Sequence, residues 1–385
     1  MKFTSSGSYE KIDQSALGDR VVAAWSSRGH EDICWDTFLQ ETPLGEYRQS
    51  TIWAQAKSTE GWKPLRVVLT VDGEMVGGFQ ILWRQSWRGR IGYVSGGPVV
   101  LPGHPGLAEY ATELLQKVAR RERLRALAVQ PPGLCKQMSA RLAGSGFLLE
   151  VSADVNEATC VVDLRDGFEA VERRMSRETR RCAKLAVNRG VTIREGGRDD
   201  LQTFFELMLS TCRRQGAEPN PANVRYFLAL WDAARPGGCV RLFFATYENQ
   251  PLAGYVCIIF GQTVSLWKKG WTSTEGRRYP NDLITYEVLK WASSTGYQFC
   301  DFCSLDKRMA IAMLSGNPLS PEQERSRHMF NLRFGAGPRL LPEARVYLPN
   351  PLIRLAYRVI FHKKIRQAEE NYRLADQAAK FVGRA

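Results

Sequence analysis

Apolar positions recur along this chain in two periods, and the two periods follow each other in a repeated order. Residues 67–71 (Val-Val-Leu-Thr-Val) and 76–82 (Val-Gly-Gly-Phe-Gln-Ile-Leu) are apolar runs on either side of Asp72-Gly73, a spacing that predicts a two-stranded hairpin with a tight turn. Downstream, residues 107–121 carry apolar side chains at steps of three and four, the period of an amphipathic helix, and Ala126-Leu-Ala-Val follows as a short strand. The order then returns: Phe243-Phe-Ala-Thr-Tyr, a turn at Glu248-Asn-Gln-Pro, Leu252-Ala-Gly-Tyr-Val-Cys-Ile-Ile, a helical stretch at 283–297 and the strand Phe299-Cys-Asp-Phe-Cys.

Residues 66–130 align with 242–306 without a gap, setting Gly78 on Gly254 and Tyr110 on Tyr286, so the chain carries a duplicated unit. Each copy reads hairpin, further strand, helix, strand. That is the order of the GNAT N-acyltransferase fold, and it predicts an α+β protein of two tandem GNAT-like domains. Between the copies, Val161-Val-Asp-Leu leads into a helix over 167–189, then Val191-Thr-Ile-Arg and helices at 199–214 and 221–234, which open the second unit. A Pro- and Arg-rich segment and a final helical stretch at 351–381 follow the second copy. The predicted first domain is therefore 1–155, completed by 336–385, and the second is 156–335.

Composition narrows the function. A chain of 385 residues that is 44% hydrophobic and 24% charged can bury two cores. The start at 1–8 is polar, unlike a secretory signal, and no apolar run is long enough to cross a membrane. Nine cysteines, odd in number and set among apolar neighbours, suit a reducing cytoplasm. Cys300 and Cys303 form a C-x-x-C on a strand-like stretch without a second pair or nearby histidines, which favours buried thiols over a metal site. The net charge of +13 favours a polyanionic partner. There is no H-E-x-x-H, Walker loop or G-x-S-x-G, and the four histidines are scattered at 30, 104, 328 and 362. Acyl transfer between two bound substrates, driven by positioning and oxyanion stabilisation, remains.

Two segments bear on the acyl donor. The loop that would cradle a coenzyme A pyrophosphate in this fold reads Arg277-Arg-Tyr-Pro-Asn-Asp; its proline lacks an N–H, and bulky residues replace the glycines that permit close approach. No cofactor is expected. On the helix at 167–189, Arg173, Arg177, Arg180 and Lys184 recur at steps of three and four, a basic stripe suited to a tRNA backbone or to a solvated face.

The segment Ser176-Arg-Glu-Thr-Arg-Arg with Arg189-Gly-Val resembles the Fem (FemABX) aminoacyltransferases. Gln49-Ser-Thr-Ile-Trp53 with Lys57, the stretch from Tyr93 to Pro98, and Phe330-Asn-Leu-Arg-Phe-Gly resemble further motifs of that family in the same order. The resemblance covers roughly residues 45–345 and implies a tandem GNAT-like enzyme that moves an amino acid from aminoacyl-tRNA, its co-substrate, onto the amine of a peptidoglycan precursor or a small natural product. The alternative on the same fold is an acyl-CoA or acyl-carrier-dependent N-acyltransferase.

Carried over, the resemblance implies Lys57, Gln49, Trp53, Tyr93 and Tyr286 as substrate-binding, with Gln49 and Trp53 bracing the loop. It implies Asp301 and Asp306 as carboxylates able to take the amine's proton or to cap backbone, and Asn331 with Arg333 as oxyanion donors. Three positions depart from the family: Asn331 stands where a lysine is frequent, Leu101 where an aspartate is, and Gly96 where an arginine is. The implied location is the cytoplasm, at the inner membrane surface. There the final segment, Leu352, Leu355, Val359 and Phe361 beside Arg354, Arg358, Lys363 and Lys364, would make peripheral contact or else pack on its own domain.

Overall fold

A computed structural model describes residues 10–14, 21–27, 29, 31–133, 135–153 and 155–370; the polar start and the end of the expected terminal helix lie outside these. The chain forms two compact units, residues 1–157 with 341–385 and residues 158–340. Residues 337–340, expected with the first domain, stay with the second because they pair with its first strand.

In the first unit, β1 (Glu10–Gln14) and β2 (Val21–Ser26) pair antiparallel, and α1 (Ile33–Glu41) and α2 (Thr51–Ser58) follow. Asp32 and Ser50 cap these helices by accepting from the N–H of Trp35 and Trp53. β3 (Lys63–Val71) and β4 (Glu74–Ser86) form the expected hairpin, turning through Asp72 and Gly73 at φ 52° and 80°, the pair of positive φ values that matches strand twist. Then come β5 (Gly89–Ser95), β6 (Val99–Val100), α3 (Leu107–Arg121), β7 (Leu124–Gln130), α4 (Lys136–Gly144) and β8 (Leu148–Leu149). The apolar stripe of α3 (Leu107, Ala111, Leu114, Leu115, Val118) packs on Val67, Leu69, Phe79 and Ile81 of the hairpin. Gly78 has no substitute: at φ 153° an added Cβ would lie 2.3 Å from the Val67 carbonyl oxygen.

The second unit opens with β9 (Ala158–Asp163), α5 (Phe168–Arg174) and α6 (Arg177–Asn188). The helix expected at 167–189 is thus two helices. Ser176 breaks it: its backbone is extended at ψ 148°, and its Oγ accepts the Thr179 N–H at 3.1 Å, capping α6. β10 (Thr192–Gly196), α7 (Leu201–Gln215), α8 (Val224–Ala234), β11 (Val240–Tyr247), β12 (Gln250–Phe260) and β13 (Thr263–Trp271) follow. The β11–β12 turn repeats the first hairpin's device, with Glu248 and Asn249 at φ 48° and 62°. The unit ends with α9 (Pro280–Ser294), β14 (Phe299–Asp301), α10 (Lys307–Leu314), α11 (Pro321–Glu324), α12 (His328–Leu332) and β15 (Gly337–Leu340). The chain then returns to the first unit as β16 (Arg345–Tyr347) and α13 (Pro351–Ile360).

Among the described residues the first sheet runs β1-β2-β3-β4-β5-β7-β16-β8 with β6 on β4, and the second runs β10-β11-β12-β13-β14-β9-β15. Each contains one parallel pair, β5 with β7 and β13 with β14, crossed over by a helix packed on the sheet. The two-sheet α+β architecture expected from the repeat is the architecture found.

Candidate active site

In the second unit, β13 and β14 pair only from Thr263 opposite Phe299 to Ser265 opposite Asp301. Beyond that point they diverge, and Lys269 of β13 lies past the fork. A β-bulge sets its direction. Val256 pairs with Lys268 and Ile258 with Ser265, so Leu266 and Trp267 together stand opposite Cys257 alone. The bulge shifts the alternation and turns Lys269 to the face of Tyr255, whose hydroxyl meets Thr285 of α9 at 2.9 Å.

The Lys269 ammonium donates to Asn331 Oδ1 at 3.1 Å and lies over the rings of Phe302, Tyr255 and Phe330, at 4.5, 5.1 and 5.8 Å from their centroids. Among the described residues this is its one hydrogen bond, which leaves two donor positions open. No carboxylate is paired with it there. Burial pushes its pKa down to about 8, so it is still mostly charged at neutral pH. The surrounding thiols offer no countercharge: burial pushes Cys160 and Cys257 up to about 12 and Cys300 well above its ordinary value.

The motif Phe330-Asn-Leu-Arg-Phe-Gly acquires a physical reading here. Phe330 and Phe334 pack edge to face at 5.2 Å, and Asn331 turns its amide to Lys269. Gly335, at φ 80°, passes so close to Arg174 that an added Cβ would lie 2.9 Å from the Arg174 Cβ. Arg333 lies over Phe330 with its Nε buried and without a hydrogen-bond partner, and its charge lowers the pKa of Asp282. Asp282, in the first turn of α9, is 8% exposed; one carboxylate oxygen has no hydrogen-bond partner, and burial pushes its pKa up to about 6. Sequence reasoning singled out neither Lys269 nor Asp282.

The two expected carboxylates have structural duties. Asp301 Oδ1 accepts from the Thr159 hydroxyl and, at 2.7 Å, from the Cys303 N–H, turning the chain at the end of β14, where Cys303 has φ 67°. Asp306 caps α10 by accepting the Met309 N–H at 3.0 Å. Tyr286 donates to Glu172 of α5 at 2.7 Å and stacks edge-on against Phe168, clasping α9 to α5. The basic stripe is interrupted as well. Arg173 ends up on α5, leaving Arg177, Arg180 and Lys184 on α6, where Arg177 and Lys184 are exposed and the Arg180 Nε is buried without a partner.

In the first unit the residues expected to bind substrate gather around α2 and the end of β5. Lys57 pairs with Glu60 at 2.7 Å and lies 5.5 Å from the Trp53 ring centroid. Tyr93 meets Trp62 edge-on at 4.7 Å; burial pushes its phenol far above the ordinary range, and the charges of Arg48 and Arg84 oppose that shift. Gln49 is a brace: its Nε2 donates to the carbonyls of Gln80 and Ser95, and its Oε1 accepts the Gln80 N–H at 2.7 Å. Trp53 is buried against Tyr47. Gly96 and Gly97 have their own steric reason, since Cβ atoms there would lie 2.7 Å from oxygens of Glu46 and Gln49. Among the described residues no group of three or more His, Cys, Asp or Glu side chains could hold a metal ion, and no helix is long and apolar enough to cross a membrane.

Comparison with known proteins adds an independent line. The model of the FemAB family matches residues 31–233, and that of the acetyltransferase (GNAT) domain matches 171–308. The chain is 28% identical over 233 residues to a lipid II:glycine glycyltransferase of Staphylococcus saprophyticus, covering 57% of this chain and 56% of that protein. It is 26% identical over 225 residues to the enzyme of the same name from Staphylococcus aureus, covering 55% and 53%. It thus spans about half the length of the curated relatives it matches. The crystal structure of FemX superposes with a TM-score of 0.69 at 19% identity, covering 85% of this chain and 98% of FemX, which establishes the tandem fold.

Proposed function

The chain belongs to the FemAB family, and from that premise we propose that it is an aminoacyltransferase that takes an amino acid from aminoacyl-tRNA and joins it by an amide bond to an acceptor amine. The observation that carries this reading is the Lys269 ammonium at the open fork of β13 and β14, held by Asn331 and with two donor positions unused. The neutral acceptor amine attacks the ester carbonyl, and negative charge gathers on the carbonyl oxygen. Lys269 neutralises that charge from an aromatic-walled site in which water competes poorly. The C–O bond to the ribose then breaks, the amide forms, and the amine's proton leaves with the ribose oxygen. Asp301 is already committed to Thr159 and Cys303, which makes it a positioning residue in this scheme.

The relatives' names point to a lipid-linked peptidoglycan precursor as the acceptor, and Lys57, set over the buried Trp53 ring, together with Tyr93, Arg48 and Arg84 forms the cationic and aromatic site we assign to it. Arg177 and Lys184 on α6 are assigned to the tRNA backbone. The coenzyme A alternative is opposed by Pro280, which lacks an N–H at the start of α9, and by the buried Asp282 carboxyl in the same turn, where a pyrophosphate would meet a like charge. The test is to incubate the protein with tRNA charged by radiolabelled amino acids, with lipid II or a small amine as acceptor. Label should move from tRNA to acceptor only in the presence of protein. Consumption of acyl-CoA with the charged tRNA left intact would overturn the reading.

A further inference from the structure

α13 is apolar on two faces. Ile353, Tyr357 and Phe361 pack on Val346 and Leu348, which satisfies the inner face. The outer face carries Leu352, Leu355, Val359 and Ile360, exposed at 75%, 60%, 65% and 71% and spaced as a continuous stripe along the helix. Exposed Arg358, Lys363 and Lys364 flank it.

A second feature of the same unit adjoins this helix. Arg88, Arg90, Arg120, Arg123 and Arg125 line a surface hollow of about 430 Å³ that also touches Asn350 and Ile353 at the start of α13. Arg90 lies 3.8 Å from Glu122; among the described residues Arg88, Arg120, Arg123 and Arg125 have no carboxylate partner. At the adjoining tip of the β4–β5 hairpin, Trp87 is 87% exposed, with the Arg88 guanidinium 4.2 Å from its ring centroid.

We propose that the outer face of α13, the Trp87 tip and the arginine hollow together form a docking surface for an anionic lipid bilayer, with a lipid phosphate seated in the hollow. Guanidinium groups match phosphate oxygens in pairs, and five clustered guanidiniums of which, among the described residues, only Arg90 has a carboxylate neighbour are complementary to an anionic surface. An exposed indole beside an apolar helix stripe suits the headgroup boundary. A protein partner would need a face both apolar and strongly acidic, whereas an anionic leaflet supplies both properties together. The inference deepens the lipid-linked side of the proposed function, but vesicle binding requires neither tRNA nor acceptor, so failure of one and failure of the other are separately visible.

The test is sedimentation of the full chain with vesicles of phosphatidylglycerol and phosphatidylethanolamine, and with vesicles of phosphatidylcholine alone. Binding is expected to the anionic vesicles and to fall steeply with salt. It should weaken about fivefold for each arginine removed in R88A and R123A, and should be largely lost in L355S/V359S. All four sites are on the surface, so unchanged circular dichroism spectra will certify the fold. Equal binding to neutral vesicles, or anionic binding indifferent to both sets of variants, would overturn the proposal. So would a wild-type dimer that L355S/V359S converts to monomer in sedimentation equilibrium, which would make the stripe a contact between copies. Saturable binding of inorganic phosphate without vesicle binding would also overturn it.

Discussion

The two units share a frame and part company at one place, the fork between their parallel strands. In the first, β5 and β7 stay paired from Arg90 opposite Leu124 to Ser95 opposite Gln130. In the second, pairing stops at Ser265 opposite Asp301, because Asp301 takes the Cys303 N–H and the left-handed backbone of Cys303 leads the chain away. The gapless internal alignment sets Tyr93 of the closed fork against Lys269 of the open one. The closed fork is filled by aromatic side chains, Tyr93 against Trp62, while the open fork holds an ammonium with unused donors. Under the proposed function, duplication supplied one unit to hold the acceptor and another to stabilise developing charge, and a single turn after β14 separates the two roles.

The sharpest way to break this comparison is to remove the ammonium. Lys269→Met should lower the single-turnover rate of transfer about 10²- to 10³-fold, the loss typical of an oxyanion donor, with little change in acceptor KM. Adding Asn331→Lys to that variant puts a cation back beside the same fork and should recover part of the rate. A double variant no better than Lys269→Met would mean that the position of the charge, rather than its presence, is decisive. The wild-type rate should fall as pH rises through about 8, where Lys269 loses its proton. Lys269→Arg should move that limb upward, because a guanidinium keeps its charge. The thiols of Cys160 and Cys257, pushed up to about 12, stay neutral across this range.

The complementary test is made in the first unit. Lys57→Ala should raise the acceptor KM about tenfold, the cost of one charge-assisted contact, and leave the rate at saturating acceptor nearly intact. A fall in the saturated rate instead would place reaction chemistry in the first unit and dissolve the division of labour.

Much of this architecture was written in short-range pattern. Both hairpins, α3 and α9 follow from apolar periodicity that their packing repeats, and Asn331 was identifiable as a departure within a motif. Its new partner was not. Strict alternation from Val264 and Leu266 would aim Lys268 inward, and only the extra residue of the β13 bulge, a matter of pairing across strands, brings Lys269 there instead. The one local signal was a lysine aligned with Tyr93 inside an apolar strand. The single helix expected under the basic stripe is divided for the opposite reason: its spacing is helical throughout, but Ser176 offers a cap that the periodicity does not register, and Arg173 is left on another helix. Asp282 was legible only as the last residue of the loop ahead of the helix expected at 283–297; its place in the first turn of α9 and its burial are tertiary properties.

Asp282 also has a counterpart in the first unit that sharpens the contrast between the two. Asp36 is likewise buried, and burial pushes it up to about 6, but it accepts from both the N–H, at 2.8 Å, and the hydroxyl of Thr51. Asp282 leaves one oxygen without a partner. A carboxyl whose folded pKa is raised contributes stability below its unfolded value, and that contribution is lost as pH rises through about 6. Asp282→Asn should therefore raise stability at pH 8 by about 2 kcal/mol and give no gain at pH 4. Asp36→Asn exchanges an acceptor oxygen for a donor facing Thr51, which should cost about 1–2 kcal/mol at pH 4; at pH 8 the relief of an equally raised carboxyl offsets that cost, so any gain should stay below that of Asp282→Asn. Thermal denaturation of the two variants at the two pH values checks both signs. A gain from Asp36→Asn matching that from Asp282→Asn would show that hydrogen bonding does not distinguish the two carboxyls.

The smallest effect tests the turn that opens the second fork. Cys303 holds φ 67°, a conformation that costs a side-chain-bearing residue about 1–2 kcal/mol. Glycine adopts it freely, at a cost of about 0.4–1 kcal/mol from the greater freedom it gives the unfolded chain. Cys303→Gly keeps the N–H that Asp301 accepts and should therefore stabilise the second unit by about 0.5 kcal/mol, a shift detectable in denaturant midpoints. Cys303→Pro removes that N–H and imposes a negative φ, so it should destabilise the unit by several times as much. If the proline variant melts like the wild type, the turn is not what holds the strands apart, and the open fork must owe its shape to the aromatic wall around Lys269.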